Sequence, residues 1–298
     1  MSRAALSASR SIAILNFLAA HPTDGFTLSE LAKKLDINIS SCHAALAVLT
    51  DAAYLVRHSR LRTYTLGPSA VALGSAALES HEAIDIARDA ARQLADELEL
   101  EVSVTAPAGN DIVFLARTGH HRARGIAMHV GQRVPLVAPL GSVFVAWHGA
   151  DRWLDQASDR TAMQAVLRDV RRRGYTVALE ADARRGLGEA LDRLADDPND
   201  PDVRLAIRDH VDELARQTFQ IGDLDPTVTY DVSGIAAPIF DADANVILAL
   251  TLVGFEPALS AARINTYGEQ LRDACLVVTK RTRGSLPAVP PHRNKDRP

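Results

Sequence analysis

The chain has 298 residues, enough for two modest domains. Apolar residues make up 47% and charged residues 23%, which excludes a low-complexity disordered chain, and no apolar run reaches the roughly 18 residues of a membrane span. The 33 Lys/Arg against 37 Asp/Glu leave a net charge of −4, excluding a uniformly polybasic protein, and two distant cysteines, Cys42 and Cys275, exclude a disulfide scaffold or a cysteine-based zinc site. A reducing compartment, the cytosol, is the natural expectation. The opening stretch, MSRAALSASRSIAILNFLAAHP, has apolar residues at helical spacing and reads as a helix rather than an export signal.

Charge is uneven. Residues 1–67 hold seven Lys/Arg and four Asp/Glu, a formal +3 that leaves −7 on the rest, so a mildly basic head sits on an acidic body. The head reads as three helices and a hairpin. Ser9 or Ser11 is expected to cap the first helix, with Ile12, Leu15, Phe17, Leu18 and Ala19 as its stripe and Pro22 and Gly25 beyond its end. Thr27-Leu28-Ser29-Glu30 is a capping box opening the second helix, which buries Leu28, Leu31, Ala32 and Leu35. Residues 36–39 turn. Ser40 is expected to cap the third helix, with Cys42, Ala45, Leu46, Val48 and Leu49 inward and Ser41, His43, Ala44 and Ala47 outward. Residues 54–57 and 62–66 alternate as strands around a basic tip. Helix, turn, helix and basic hairpin in this order make a winged helix-turn-helix. Ser41 and His43 would then reach base edges, and Arg57, Arg60 and Arg62 phosphates. A small helical core serving protein contacts is the alternative.

The runs SRSIAILNFLA, TLSELAKKLDINISSCHAALAVLTDAAYLVR and TYTLGPSAVALGSAAL resemble the IclR family of bacterial transcriptional regulators. Ser40, Ser41, Cys42, His43, Leu46, Leu49 and Tyr54 match the family's recognition segment, and Tyr64-x-Leu66-Gly67 matches the end of its wing. Ala44 stands where the family usually has Arg, and Ala53 where it usually has Gly. The resemblance implies a DNA interface of Thr27, Ser40, Ser41, His43, Ala44, Arg57, Arg60 and Arg62. It also implies a palindromic double-stranded operator and a homodimer or homotetramer. Residues 69–98 read as two further helices, the first being the family's linker helix at 68–82, or else a purely structural connector.

Beyond them, strands are expected at 101–106, 112–117, 125–131, 134–136 and 175–179, with an apolar helix at 143–147 and another at 160–174. Strands at 234–241 and 246–253 form a late hairpin, and a helix at 260–282 closes the domain. Strands covered by helices give an α+β class. The segments VGQRVPL, LGS and GIAAPIFD resemble the GAF-like effector domain of the same family. The fold expectation is therefore an N-terminal winged helix-turn-helix (1–67), a linker helix (68–82), a GAF-like α/β effector-binding and oligomerisation domain (83–282) and a disordered tail (283–298). Residues 181–230 depart from the family, with a mobile turn at 196–202 and an inserted helix at 203–214.

No catalytic set assembles. His120 and His121 are adjacent and diverge on a strand, Gly186-Leu187-Gly188 lacks a dinucleotide-binding context, and Ser142 and Ser233 lack nucleophile-elbow spacing. No cofactor, metal or enzymatic activity is expected. The resemblance implies an effector site lined by Met128, Pro139, Leu140, Gly141, Ser142, Ala178, Val232, Gly234, Thr251 and Val253. Gly141 and Ser142 would present backbone N–H groups. Val253 and Ala178 replace a serine and an acid usual in the family. Either the effector is a small apolar or aromatic compound, or side chains fill the pocket and the domain only dimerises; an enzyme with an accessory helix-turn-helix is the more distant rival.

Overall fold

The computed structural model describes residues 3–119, 129–217, 220–221 and 223–287. The head is built from α1 (Arg3–Ala20), β1 (Phe26–Thr27), α2 (Leu28–Lys34), α3 (Ile39–Asp51), β2 (Leu55–Arg57) and β3 (Thr63–Leu66), its strands ordered β1-β3-β2. Ile14, Phe17 and Leu18 of α1 meet Leu31 of α2, Cys42, Leu46 and Leu49 of α3 and Tyr64 of the wing in one small core. The capping box forms as expected: the Thr27 N–H donates to Glu30 (2.7 Å), and the Glu30 N–H donates to the Thr27 hydroxyl (3.3 Å).

Three expectations for the head need correction. α1 starts at Arg3, so Ser9 and Ser11 lie inside it, and Ile12 points outward. The cap of α3 is Asn38, whose side chain accepts the Ser41 N–H (2.8 Å), while Ser40 is already helical. Val48 is 66% exposed. It lies six residues beyond Cys42, about a third of a turn off the buried stripe of Cys42, Ala45, Leu46 and Leu49.

Two helices leave the head: α4 (Pro68–Ser80), in which no residue is buried, and α5 (Glu82–Leu98), which buries Ile86, Ala87, Ala91, Leu94 and Ala95. The body follows with β4 (Glu101–Ala108), β5 (Asp111–Thr118), β6 (Arg133–Pro135), α6 (Ser142–Val145), α7 (Ala150–Asp155), α8 (Arg160–Arg173), β7 (Thr176–Leu179), α9 (Asp182–Asp196), α10 (Pro201–Arg216), β8 (Thr229–Tyr230), β9 (Val232–Phe240), β10 (Val246–Val253), β11 (Leu259–Ser260) and α11 (Ala261–Arg281). Six of these strands form an antiparallel sheet, β6-β5-β4-β10-β9-β7. The expected strand at 125–131 falls mostly outside the described residues, as do His120, His121, Met128 and 288–298 of the tail; 129–131 is a turn entering β6.

Strand periodicity divides this sheet into two chemistries. Val102 and Val104 of β4, Ile235, Ala237 and Ile239 of β9 and Leu250 and Leu252 of β10 pack with α5 and α11 into the main core. The intervening Glu101, Ser103 and Thr105, with Gly234, Ala236, Thr251 and Val253, face a cavity on the other side.

The divergent segment is a helical hairpin rather than one helix. α9 and α10 pair through Ala183, Leu187, Ala190 and Leu191 against Val203, Ile207, Val211 and Leu214, and this cluster rests on Val134, Leu140 and Ala178 of the sheet domain. Gly186-Leu187-Gly188 lies inside α9, and a Cβ on Gly186 would sit 2.3 Å from the His210 ring. The tip of the hairpin docks on the head. His21 Nε2 lies 3.1 Å from Asp196 Oδ1, and Lys34 Nζ donates to the Asp196 carbonyl (2.9 Å). Phe17 lies beside this contact, with the His21 ring at 4.4 Å and Lys34 above its face. Among the described residues, no helix is long and apolar enough to cross a membrane.

Candidate nucleic-acid interface and ligand cavity

The head presents α3 and the wing outward. Residues 57–62 are all exposed, so Arg57, Arg60 and Arg62 stand free of the core at the hairpin tip, with Arg57 above the Tyr64 ring (5.7 Å). His58 accepts the Leu61 N–H (3.1 Å) and braces the tip. On α3, Ser40, His43 and Ala44 are exposed and Ser41 is half-buried. Ser41 Oγ accepts from Arg10 Nη1 (3.2 Å), a contact from α1 that the sequence reading did not include. Thr27 is half-buried and committed to the capping box. Hydrogen bonds from Thr27 hold the Glu30 carboxyl below its usual range.

The cavity beneath the sheet has a volume of about 220 Å³. Leu140, Gly141, Ser142, Ala178, Gly234, Thr251 and Val253 are among the residues that line it. Pro139 and Val232 are not in its lining. The Pro139 carbonyl accepts from Gln220 Nε2 (2.9 Å), and Val232 points into the main core. α6 has only four residues, and its first residue, Ser142, follows Gly141 at φ +73°. A Cβ on Gly141 would meet the Leu136 side chain at 2.3 Å, so that turn demands glycine on two counts.

Much of the cavity's polarity comes from residues not expected from sequence. The buried Glu101 carboxylate is gripped by Arg117 through two nitrogens, Nη2 lying 2.7 Å from Oε2. Arg184, at the start of α9, pairs with Glu180 (3.1 Å). The Ser142 and Ser233 hydroxyls and Gln220 Oε1 are buried without a hydrogen-bond partner. Such groups are costly unless something satisfies them. Among the described residues, no cluster of three His, Cys, Asp or Glu is placed to hold a metal ion.

Residues 7–59 match the family model of the IclR helix-turn-helix domain. The HTH-type transcriptional regulator BhcR of Paracoccus denitrificans is 23% identical over 266 residues, covering 89% of this chain and 83% of its own. The IclR transcriptional regulator from Alicyclobacillus acidocaldarius has a similar structure, with a TM-score of 0.66 at 18% identity over 93% of this chain and 98% of that one. An IclR homolog from Microbacterium hydrocarbonoxydans, complexed with 4-hydroxybenzoate, gives 0.62 at 18% identity over 93% and 99%. These structural likenesses carry the fold. The head thus matches the helix-turn-helix domain of IclR regulators, and the chain shares the fold of IclR structures through to its last helix.

Proposed function

We propose that two or four copies of this chain hold paired heads on a palindromic operator, and that a small apolar or aromatic effector in the cavity alters how the heads are held. On this reading, 1–67 binds DNA, 68–82 links and pairs the heads, 83–282 binds effector and oligomerises, and the cytoplasm is the site of action. The observation that carries it is one hairpin touching both sites: Arg184 of α9 borders the cavity, and Asp196 at the far end of α9 holds His21 and Lys34 of the head. A ligand that shifts α9 has a direct route to the head.

The cavity favours a ligand-binding over a ligand-blind domain. An apolar cavity of about 150 Å³ already holds benzene, and this one is larger and carries unpartnered polar atoms. A relative crystallised with 4-hydroxybenzoate sets the scale, one aromatic ring with polar ends. The charged groups of the lining are paired, Glu101 with Arg117 and Arg184 with Glu180, which supports binding rather than turnover.

The test is selection from genomic DNA fragments by the purified protein at two salt concentrations. Enrichment of a palindrome with steep salt dependence is the expected result. The triple variant Arg57→Ala/Arg60→Ala/Arg62→Ala should weaken binding on every sequence and flatten the log K against log salt slope by about 3, roughly one per phosphate contact. An unchanged slope removes the wing from the phosphate interface.

A further inference from the structure

The helix that faces DNA lacks the side chains that usually read bases. α3 runs Ile-Ser-Ser-Cys-His-Ala-Ala-Leu-Ala-Val-Leu-Thr-Asp and contains no Arg, Lys, Asn, Gln or Glu. Arg and Lys make the favoured contacts to guanine, Asn and Gln those to adenine, and Glu accepts from cytosine. All three hydroxyls that α3 carries make hydrogen bonds within the head. Ser40 Oγ donates to Asn38 Oδ1 (2.9 Å), Ser41 Oγ accepts from Arg10 (3.2 Å), and Thr50 Oγ1 donates to the Leu46 carbonyl (2.7 Å). Asp51, at the end of the helix, is an exposed anion that phosphates repel. His43 remains as an exposed polar side chain in the middle of the helix.

The rest of the outward face is hydrocarbon. Ala44 and Ala47 are exposed, Val48 is 66% exposed and Ile39 is 55% exposed. Residues 40, 43, 44, 47 and 48 recur at helical three- and four-residue spacing and share one face. Scattered exposed apolar residues need no explanation. These lie on the face that a helix-turn-helix offers to the major groove. In that groove the thymine C5-methyl is the apolar group by which a base pair is distinguished.

We propose, resting on the DNA-binding reading above, that this protein selects its operator largely through thymine methyl groups packed against Ala44, Ala47 and Val48, with His43 as the hydrogen-bonding reader on α3. The ligand chemistry is thus a thymine-bearing major groove, and each methyl adds a modest increment.

The experiment replaces thymine by deoxyuridine, one position at a time, in the operator recovered from the genomic selection. This change deletes the methyl and leaves every Watson–Crick and groove hydrogen bond in place. Kd is read by fluorescence anisotropy at fixed salt with the full-length protein. Each contacted methyl should cost about three- to fivefold, the worth of one buried methyl group, and uracil outside the contacted steps should cost nothing. Val48→Ser, on the solvent side of α3, should abolish the thymine-to-uracil difference at one position and keep it at the others. His43→Ala should weaken binding while leaving the ratio intact. An operator bound equally well with every thymine replaced overturns the methyl readout and leaves the regulator standing. Recovery of no operator at either salt removes the DNA reading and this proposal with it.

Discussion

Ala53 sits at φ +57°, in the left-handed region, where its methyl crowds its own backbone. The neighbouring geometry leaves it little choice. The Tyr54 N–H returns to the Leu49 carbonyl (2.9 Å) to end α3, and the Ala53 carbonyl receives the Ser69 N–H (3.0 Å) from the start of α4. This conformation accounts for the glycine usual at this position in the family, and nothing in the structure explains the alanine. Relief of about 1–2 kcal/mol of strain outweighs the roughly 0.4–1 kcal/mol of unfolded-chain entropy that glycine adds. Ala53→Gly should therefore raise stability by about 0.5–1 kcal/mol, seen as a higher thermal midpoint; a lower midpoint would refute the strain. At Thr27 the balance runs the other way. Thr27→Ala removes the cap of α2 and should cost about 1 kcal/mol. Because the Glu30 pKa is lowered on folding, its part of the box is present above its ordinary value of 4.5 and is lost as pH falls through the lowered folded value. The penalty of Thr27→Ala, measured by denaturant titration, should accordingly be smaller at pH 3 than at pH 7.

At the scale of elements, α11 carries Gly268 where it meets Tyr175, the residue before β7. A Cβ there would lie 2.3 Å from the ring of Tyr175, a buried residue whose hydroxyl donates to Asn265 (3.0 Å). Alanine is the better helix former by about 0.8–1 kcal/mol, but overpacking a core costs typically 1–3 kcal/mol. The clash wins, so Gly268→Ala should destabilise by about 1–2 kcal/mol in chemical unfolding, and a neutral result would mean that Tyr175 moves freely. Such tertiary demands are where sequence reading stopped. The capping box, the wing and the β9–β10 hairpin were legible because their patterns are local: Thr27 with Glu30, alternation around a turn, apolar runs of strand length. α9 was not, although Ala183, Leu187, Ala190 and Leu191 keep helical spacing. Gly186 and Gly188 masked it, and only the packing of α10 explains Gly186. Val48 was misplaced because it adjoins the buried stripe without belonging to it. In the cavity, the apolar lining around Leu140–Ser142 and Val253 was legible through the resemblance. The Glu101–Arg117 pair was not, since its partners meet only when β4 and β5 adopt their register, Ser103 opposite Arg117.

Across the whole molecule, the contact between head and body is polar and small. His21 with Asp196 is partly exposed, and such pairs contribute about 0–1 kcal/mol. This contact thus adds little to global stability, while the hairpin tip beside the head restricts where the head can sit. Asp196 holds two head residues at once, His21 through its carboxylate and Lys34 through its backbone carbonyl, so a side-chain change removes one tie and spares the other. Two consequences separate a restraint from a structural prop. Asp196→Ala combined with Lys34→Ala should leave the thermal midpoint within a few degrees of wild type. The same variant should broaden the distribution of distances between spin labels placed on exposed positions of α1 and α10, read by pulsed electron resonance. An unaltered distribution would show that the head is positioned by what the variant spares, such as the Asn199 Nδ2 donation to the Lys34 carbonyl (3.5 Å). A large drop in midpoint would mean that the hairpin tip is part of the head's folding core.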